Sequence, residues 1–337
     1  MTIRAVAPLR IPLGGGGTDL PWYASRSGGF LVSVAIRRHV RVELEAEAGM
    51  DPQATSDLRP GSERNGGGSH AASDWVRQAM RHLGMGGGVH VRIDSDAPAG
   101  SGLGGSGAVL VALGHALSLW RGEVATPRRL AEQAFRIEHE CMGRPVGRQD
   151  PYLAAYGGVL ALRIHRSGRA RPRRLRLPAS TVRALERTLL LADTGERRDA
   201  ARALDSQRRA AEDSAEAVRA MDAIHAIGHE VATLLERGRI DALGEVFRRH
   251  WELKRCLSGC TSTAAAQRCL SVALGAGARG GKLIGAGGGG FVLLDCGPER
   301  SHIERVLSRA GFEVQRVQID PRGSRAWRSR PRQRRAA

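Results

Sequence analysis

The placement of glycine constrains this chain more than any other feature. Its 44 glycines include clusters at 14–17, 100–107 and 285–290, each set between apolar segments. Each cluster therefore reads as a built turn, where backbone amides can approach an anion without a Cβ in the way. The middle cluster carries the strongest signal. It follows an alternating strand, Val89–Asp94, and opens onto an apolar helix ending near Trp120, whose first amides and dipole favour a phosphate. Two spacings match a dinucleotide fingerprint, Gly100/Gly102/Gly105 and Gly285/Gly287/Gly290. The second precedes a strand, and the stretch Ser95–Gly100 separates the first from its strand, so a dehydrogenase reading weakens. A Walker-type loop is absent as well, since Lys282 is followed by Leu283.

Charge narrows the field less than its size suggests. Across 337 residues, 52 Lys and Arg against 34 Asp and Glu leave a net charge of +18. Only Lys254 and Lys282 are lysine, and the other 50 basic residues are arginine. Under such a coding bias the surviving lysines mark places that need a compact ammonium. An aromatic content of 4% argues against a single-strand nucleic-acid binder, which interleaves stacking rings with its basic residues. A basic nucleic-acid-binding protein stays a distant alternative, and no nucleic-acid partner is expected. Seven arginines and no acid between 321 and 337 predict a disordered tail. A hydrophobic fraction of 42% supplies a core. No apolar run approaches the ~18 residues of a membrane span, and the N-terminus lacks a secretory apolar stretch, so a cytoplasmic protein is expected. Cysteines 141, 256, 260, 269 and 296 show no CxxC pair or zinc spacing and are expected as reduced thiols.

Periodicity predicts strands near 3–11 and 30–47, a polar loop over 50–69, a helix over 70–83, and helices to 120 and over 127–142. Further strands are expected at 158–165, 170–176 and 188–193. Helical patterns follow over 197–236, 240–256 and 262–275, then a strand over 291–296 and a last helix and strand ending near 319. The fold class is mixed α+β, divided near 177–180 into segments 1–178 and 179–320 with the tail 321–337.

Three motifs in order then carry a resemblance. They are Ala7–Asp19, with Leu9-Arg-Ile-Pro-Leu-Gly-Gly-Gly-Gly-Thr-Asp19; Pro98–Ala108, with a Gly-Leu-Gly-x-Ser core; and Lys282–Phe291. Together they resemble the GHMP small-molecule kinases over about residues 3–319. Gly147–Tyr152 and His250–Lys254 point within that family to the branch acting on heptose phosphates. The resemblance implies an N-terminal domain of ribosomal-protein S5 domain 2 type and a C-terminal ferredoxin-like domain. It implies an ATP- and Mg2+-dependent sugar 1-kinase whose partners are ATP and a phosphorylated sugar, a heptose 7-phosphate. A kinase for an unphosphorylated sugar such as fucose is the alternative.

Residue by residue, the resemblance makes Asp150 the catalytic base and puts Arg10 beside the acceptor oxygen. The ATP phosphates fall to Pro98, Gly100, Ser101, Gly102, Leu103, Gly104, Gly105, Ser106 and Gly107. Ser106 and Glu138 are the implied magnesium ligands, a hydroxyl and one carboxylate suiting a cation that keeps water and phosphate oxygens. Glu138 and Glu140 stand two apart, on different faces of their helix. Acceptor contacts are implied for Gly15, Gly16, Gly17, Thr18, Asp19, Lys282, Gly287, Gly288 and Gly289. Gly107 departs from the family's consecutive serines and is expected to loosen the start of its helix.

Overall fold

The computed structural model describes residues 2–46, 78–84, 89–197, 200–257 and 262–329. The loop expected over 50–69, most of the helix expected over 70–83, Cys260 and the chain beyond 329 lie outside them. Two antiparallel sheets organise the rest. β1 (Thr2–Gly14), β2 (Gly29–Ala46), β3 (Val89–Ser95), β4 (Val159–Ile164) and β5 (Ala170–Arg174) join β10 (Arg325–Ser329) in the first, in the order β10-β1-β2-β4-β5, with β3 also on β2. β6 (Leu189–Asp193), β7 (Gly280–Leu283), β8 (Phe291–Asp295) and β9 (Glu313–Arg316) form the second, in the order β7-β8-β6-β9. Counted within that half, the order is 4-1-3-2 with every neighbour antiparallel, the split βαβ arrangement of a ferredoxin-like sheet.

The sequence dictates how β2 serves the core. From Val40 onward only alternate residues, Val40, Val42 and Leu44, are buried, the period of a sheet with one wet face. Over Leu31–Ile36 every residue is buried, and the helices Gly105–Trp120 and Ala215–Glu236 both pack on this strand. Helix Gly105–Trp120 is apolar nearly all round and is correspondingly enclosed.

Three expectations need correction. The helix over 197–236 is two, Ala200–Asp213 and Ala215–Glu236, because Ser214 leaves helical geometry and its hydroxyl caps the second by accepting from the Ala217 N–H. The helix over 127–142 is α-helical only to Phe135 and continues as a π-helix over Arg136–Cys141. The tail is not disordered from 321, since Arg325–Ser329 pairs with Thr2–Val6 and returns the chain to the first sheet. The pairing hides backbone groups that an isolated arginine-rich segment would leave to water. Cys141, Cys256, Cys269 and Cys296 are free thiols, and no helix among the described residues is long and apolar enough to cross a membrane.

Candidate active site

The loop after β7 packs directly on the loop before helix Gly105–Trp120. A Cβ on Gly285 would lie 2.7 Å from Gly102 Cα, and one on Gly290 would lie 2.4 Å from Ser101 O. The third glycine cluster is therefore a seam against the second loop. Between the two sheets this seam helps enclose a cavity of about 720 Å3. Its lining brings together Arg10, Gly16, Gly17, Asp19, the 98–106 loop, Glu138, Asp150 and Lys282.

Arg10 and Asp150 form the centre of this lining. Asp150 Oδ1 accepts from Arg10 Nε at 2.7 Å and from Nη2 at 2.6 Å, while Arg10 Nη1 donates to Gly102 O. One guanidinium thus fixes both the carboxylate and the glycine loop, in the fork geometry that arginine offers. Asp150 occupies the first turn of helix Gln149–Tyr156, where a carboxylate is favoured by the helix dipole. Asp19 stands beside it, 4% exposed, its Oδ2 accepting from the Gln149 N–H at 2.8 Å. Burial raises the Asp19 pKa and the Asp150 charge adds to this, while the Gln149 amide and Arg10 oppose it.

Glu138 faces the cavity from the π-helical turn, a geometry often found at functional sites. It is 3% exposed, whereas Glu140 on the same turn is exposed, as their spacing predicts. Burial pushes the Glu138 carboxyl up to about 7, against the opposing effects of a hydrogen bond with Ser106 and the charge of Arg144. Its Oε1 is buried without a hydrogen-bond partner, and Arg144 Nη1 lies 3.8 Å away. An orphaned carboxylate oxygen beside a serine hydroxyl and a phosphate-type loop has the donor set for a hard divalent cation.

The expected residues do not all reach the cavity. Thr18 is fully buried, and its hydroxyl donates to Gly15 O at 2.7 Å and accepts from the Phe30 N–H at 3.2 Å, so it holds the turn together. Gly15, Leu103, Gly107, Gly287, Gly288 and Gly289 are not among the residues that line the cavity. Around Gly289 the backbone is occupied with packing, a Cβ there meeting Glu196 O at 2.8 Å and the next N–H donating to that same oxygen. At Gly107 a Cβ would meet Asp150 Cβ at 2.8 Å, so glycine there lets helix Gly105–Trp120 and the Asp150 segment touch. Gln149 and His250 line the cavity without having been assigned a role from sequence. For His250 a signal existed, its i,i+4 spacing to Lys254.

With this geometry in hand, the relatives can be placed. The sequence pattern of the GHMP kinases N terminal domain matches residues 71–158. The D-glycero-alpha-D-manno-heptose 7-phosphate kinase of Campylobacter jejuni is 26% identical, covering 97% of this chain and 99% of the relative. The chain is thus similar to the GHMP kinases along nearly its whole length. Solved structures share its fold along the whole length. A D-glycero-D-manno-heptose 1-phosphate kinase from Bacteriodes thetaiotaomicron superposes with a TM-score of 0.77 at 23% identity, over 98% of this chain and 100% of that one. The Lactococcus lactis galactokinase in complex with galactose gives 0.73 at 14% identity, over 96% and 95%. In sequence and in fold the chain resembles GHMP kinases, which are ATP-dependent enzymes with alcohol acceptors.

Proposed function

We propose that this chain is a GHMP kinase that transfers the γ-phosphoryl group of ATP to the anomeric hydroxyl of a heptose 7-phosphate, giving the 1,7-bisphosphate. The observation that carries the reading is that the Arg10–Asp150 pair and the Ser106–Glu138 pair line a single cavity together with the 98–106 loop. The Campylobacter jejuni relative supports the acceptor, matching along nearly the whole of both chains.

Phosphoryl transfer of this kind passes through a loose transition state, so the protein's work is positioning and charge neutralisation. Amides of the 98–106 loop and the start of helix Gly105–Trp120 hold the nucleotide phosphates. Asp150 accepts the proton of the anomeric hydroxyl as that oxygen bonds to the γ-phosphorus and the bond to the ADP oxygen breaks. Arg10 holds Asp150 in place and aims it, and Asp19 orients acceptor hydroxyls from the Gln149 side. Ser106 and Glu138 would hold Mg2+, which supplies neutralisation of the phosphate oxygens.

Measuring ADP release with heptose 7-phosphate, heptose and fucose in parallel tests the assignment. Turnover is expected to be greatest with the phosphorylated heptose. Equal or greater turnover with an unphosphorylated sugar would contradict it.

A further inference from the structure

Three basic side chains meet in the same cavity, beside the Arg10–Asp150 pair; of them only Lys282 has a role expected from sequence, an unspecified acceptor contact. His250 and Lys254 stand one turn apart on helix Leu243–Leu257, and Lys282 lies on β7. They are 3%, 7% and 1% exposed, and all three line the cavity. Their polar atoms are poorly satisfied by the protein. Lys282 Nζ donates to Leu13 O at 2.7 Å, Lys254 Nζ donates to Gly285 O, and neither ring nitrogen of His250 has a partner.

An ammonium carries three donors, and a buried one without a counter-charge is costly. Among the described residues no ion pair joins either lysine to a carboxylate; the charged neighbours are instead cationic. Burial lowers the Lys254 pKa to about 8, with Arg10 adding to the effect, and holds that of Lys282 well below its ordinary value, with Lys254 adding. His250 is held well below its ordinary value by burial and by both lysines. A cluster so arranged lacks an anion. It also holds the chain's only two lysines, although 50 arginines show how freely arginine serves elsewhere. A compact ammonium fits behind glycine loops where a planar guanidinium would not.

We propose that His250, Lys254 and Lys282 form a subsite for the phosphate monoester group of the acceptor. The proposal rests on the reading of the cleft as a sugar-phosphate kinase site. The alternative source of the same chemistry is a nucleotide phosphate. Position favours the acceptor, because the Lys282 anchor, Leu13, leads directly into the turn that carries Asp19. The nucleotide side has its own donors in the 98–106 loop and its helix.

Titration calorimetry with inorganic phosphate, performed with a saturating non-hydrolysable ATP analogue already bound, reads the subsite directly. The full-length protein is expected to bind phosphate under these conditions. Lys254→Met and His250→Phe, tested separately and checked by thermal melting, should each weaken that binding at least tenfold; Lys254→Gln substitutes if Lys254→Met does not fold. Undiminished binding in the variants, no binding by the natural protein, or loss of binding once the nucleotide analogue is present would each overturn the subsite. A kinetic arm compares kcat/KM for heptose 7-phosphate and heptose. In Lys254→Met the ratio of the two should fall at least tenfold, and an equal loss for both sugars would contradict the proposal. If the natural protein phosphorylates neither sugar yet binds phosphate through these residues, the subsite stands and the heptose assignment falls.

Discussion

At the scale of single residues, the site works by placing charged groups where water cannot satisfy them. Glu138 shows the cost. Its folded pKa of about 7 lies above the ordinary value of 4.5, so between those values the folded protein binds more protons than the unfolded chain. The contribution to stability is full below the unfolded value and is lost as pH rises through about 7, amounting to on the order of 3 kcal/mol. Glu138→Gln is therefore expected to flatten the fall in melting temperature of the ligand-free protein between pH 5 and 8, and to abolish metal-dependent ATP binding. An unchanged pH profile in the variant would disprove the first expectation, and intact metal-dependent binding the second. Asp150→Asn keeps the size of the side chain but cannot accept a proton, so turnover should fall about 10²- to 10⁴-fold with little change in ATP affinity. Steady-state kinetics at saturating ATP reads this directly.

At the scale of elements, the contacts that make the site are glycine-to-backbone contacts between segments distant in sequence. The three clusters were visible as turns because glycine stood between apolar runs. Their division of labour was not, because a motif gives residue types and no partners. Gly285 and Gly290 of the third cluster pack against the second loop, Gly289 packs against Glu196, and Gly107 is a point of close approach to Asp150. Gly107→Ala is expected to push the Asp150 segment away, costing about 1–3 kcal/mol by overpacking and lowering kcat. Thermal melting and kinetics on the one variant would check both effects. The π-turn bearing Glu138 and the strand β10 were likewise illegible, the first because it keeps a helical pattern, the second because arginines mask its short apolar centre. Ala326 packs against the core, and His115 Nδ1 lies 2.9 Å from Ser324 Oγ just before the strand. Deleting residues from 325 onward leaves Thr2–Val6 without its outer partner and should lower the melting temperature. A truncated protein that melts with the full-length chain would show that β10 contributes nothing.

At the scale of the molecule, the cleft lies between the six-stranded and four-stranded sheets, and residues from both halves are needed to close it. Arg10, Ser106, Glu138 and Asp150 come from the first half, while Lys254, Lys282 and Gly285 come from the second. The order of motifs along the chain made this division legible, since each half supplies a cluster that cannot enclose a ligand alone. The net charge of +18 did not, because it sums arginines dispersed along the chain and says nothing of where the surplus lies. What matters is the local surplus in the cavity, facing two anionic substrates. The most direct test of the account is phosphorus NMR of a reaction containing the protein, heptose 7-phosphate, ATP and Mg2+. A new phosphate resonance coupled to the anomeric proton, formed with ADP and lost in Asp150→Asn, is the predicted result; ATP left intact, or phosphate appearing on any other carbon, would contradict it.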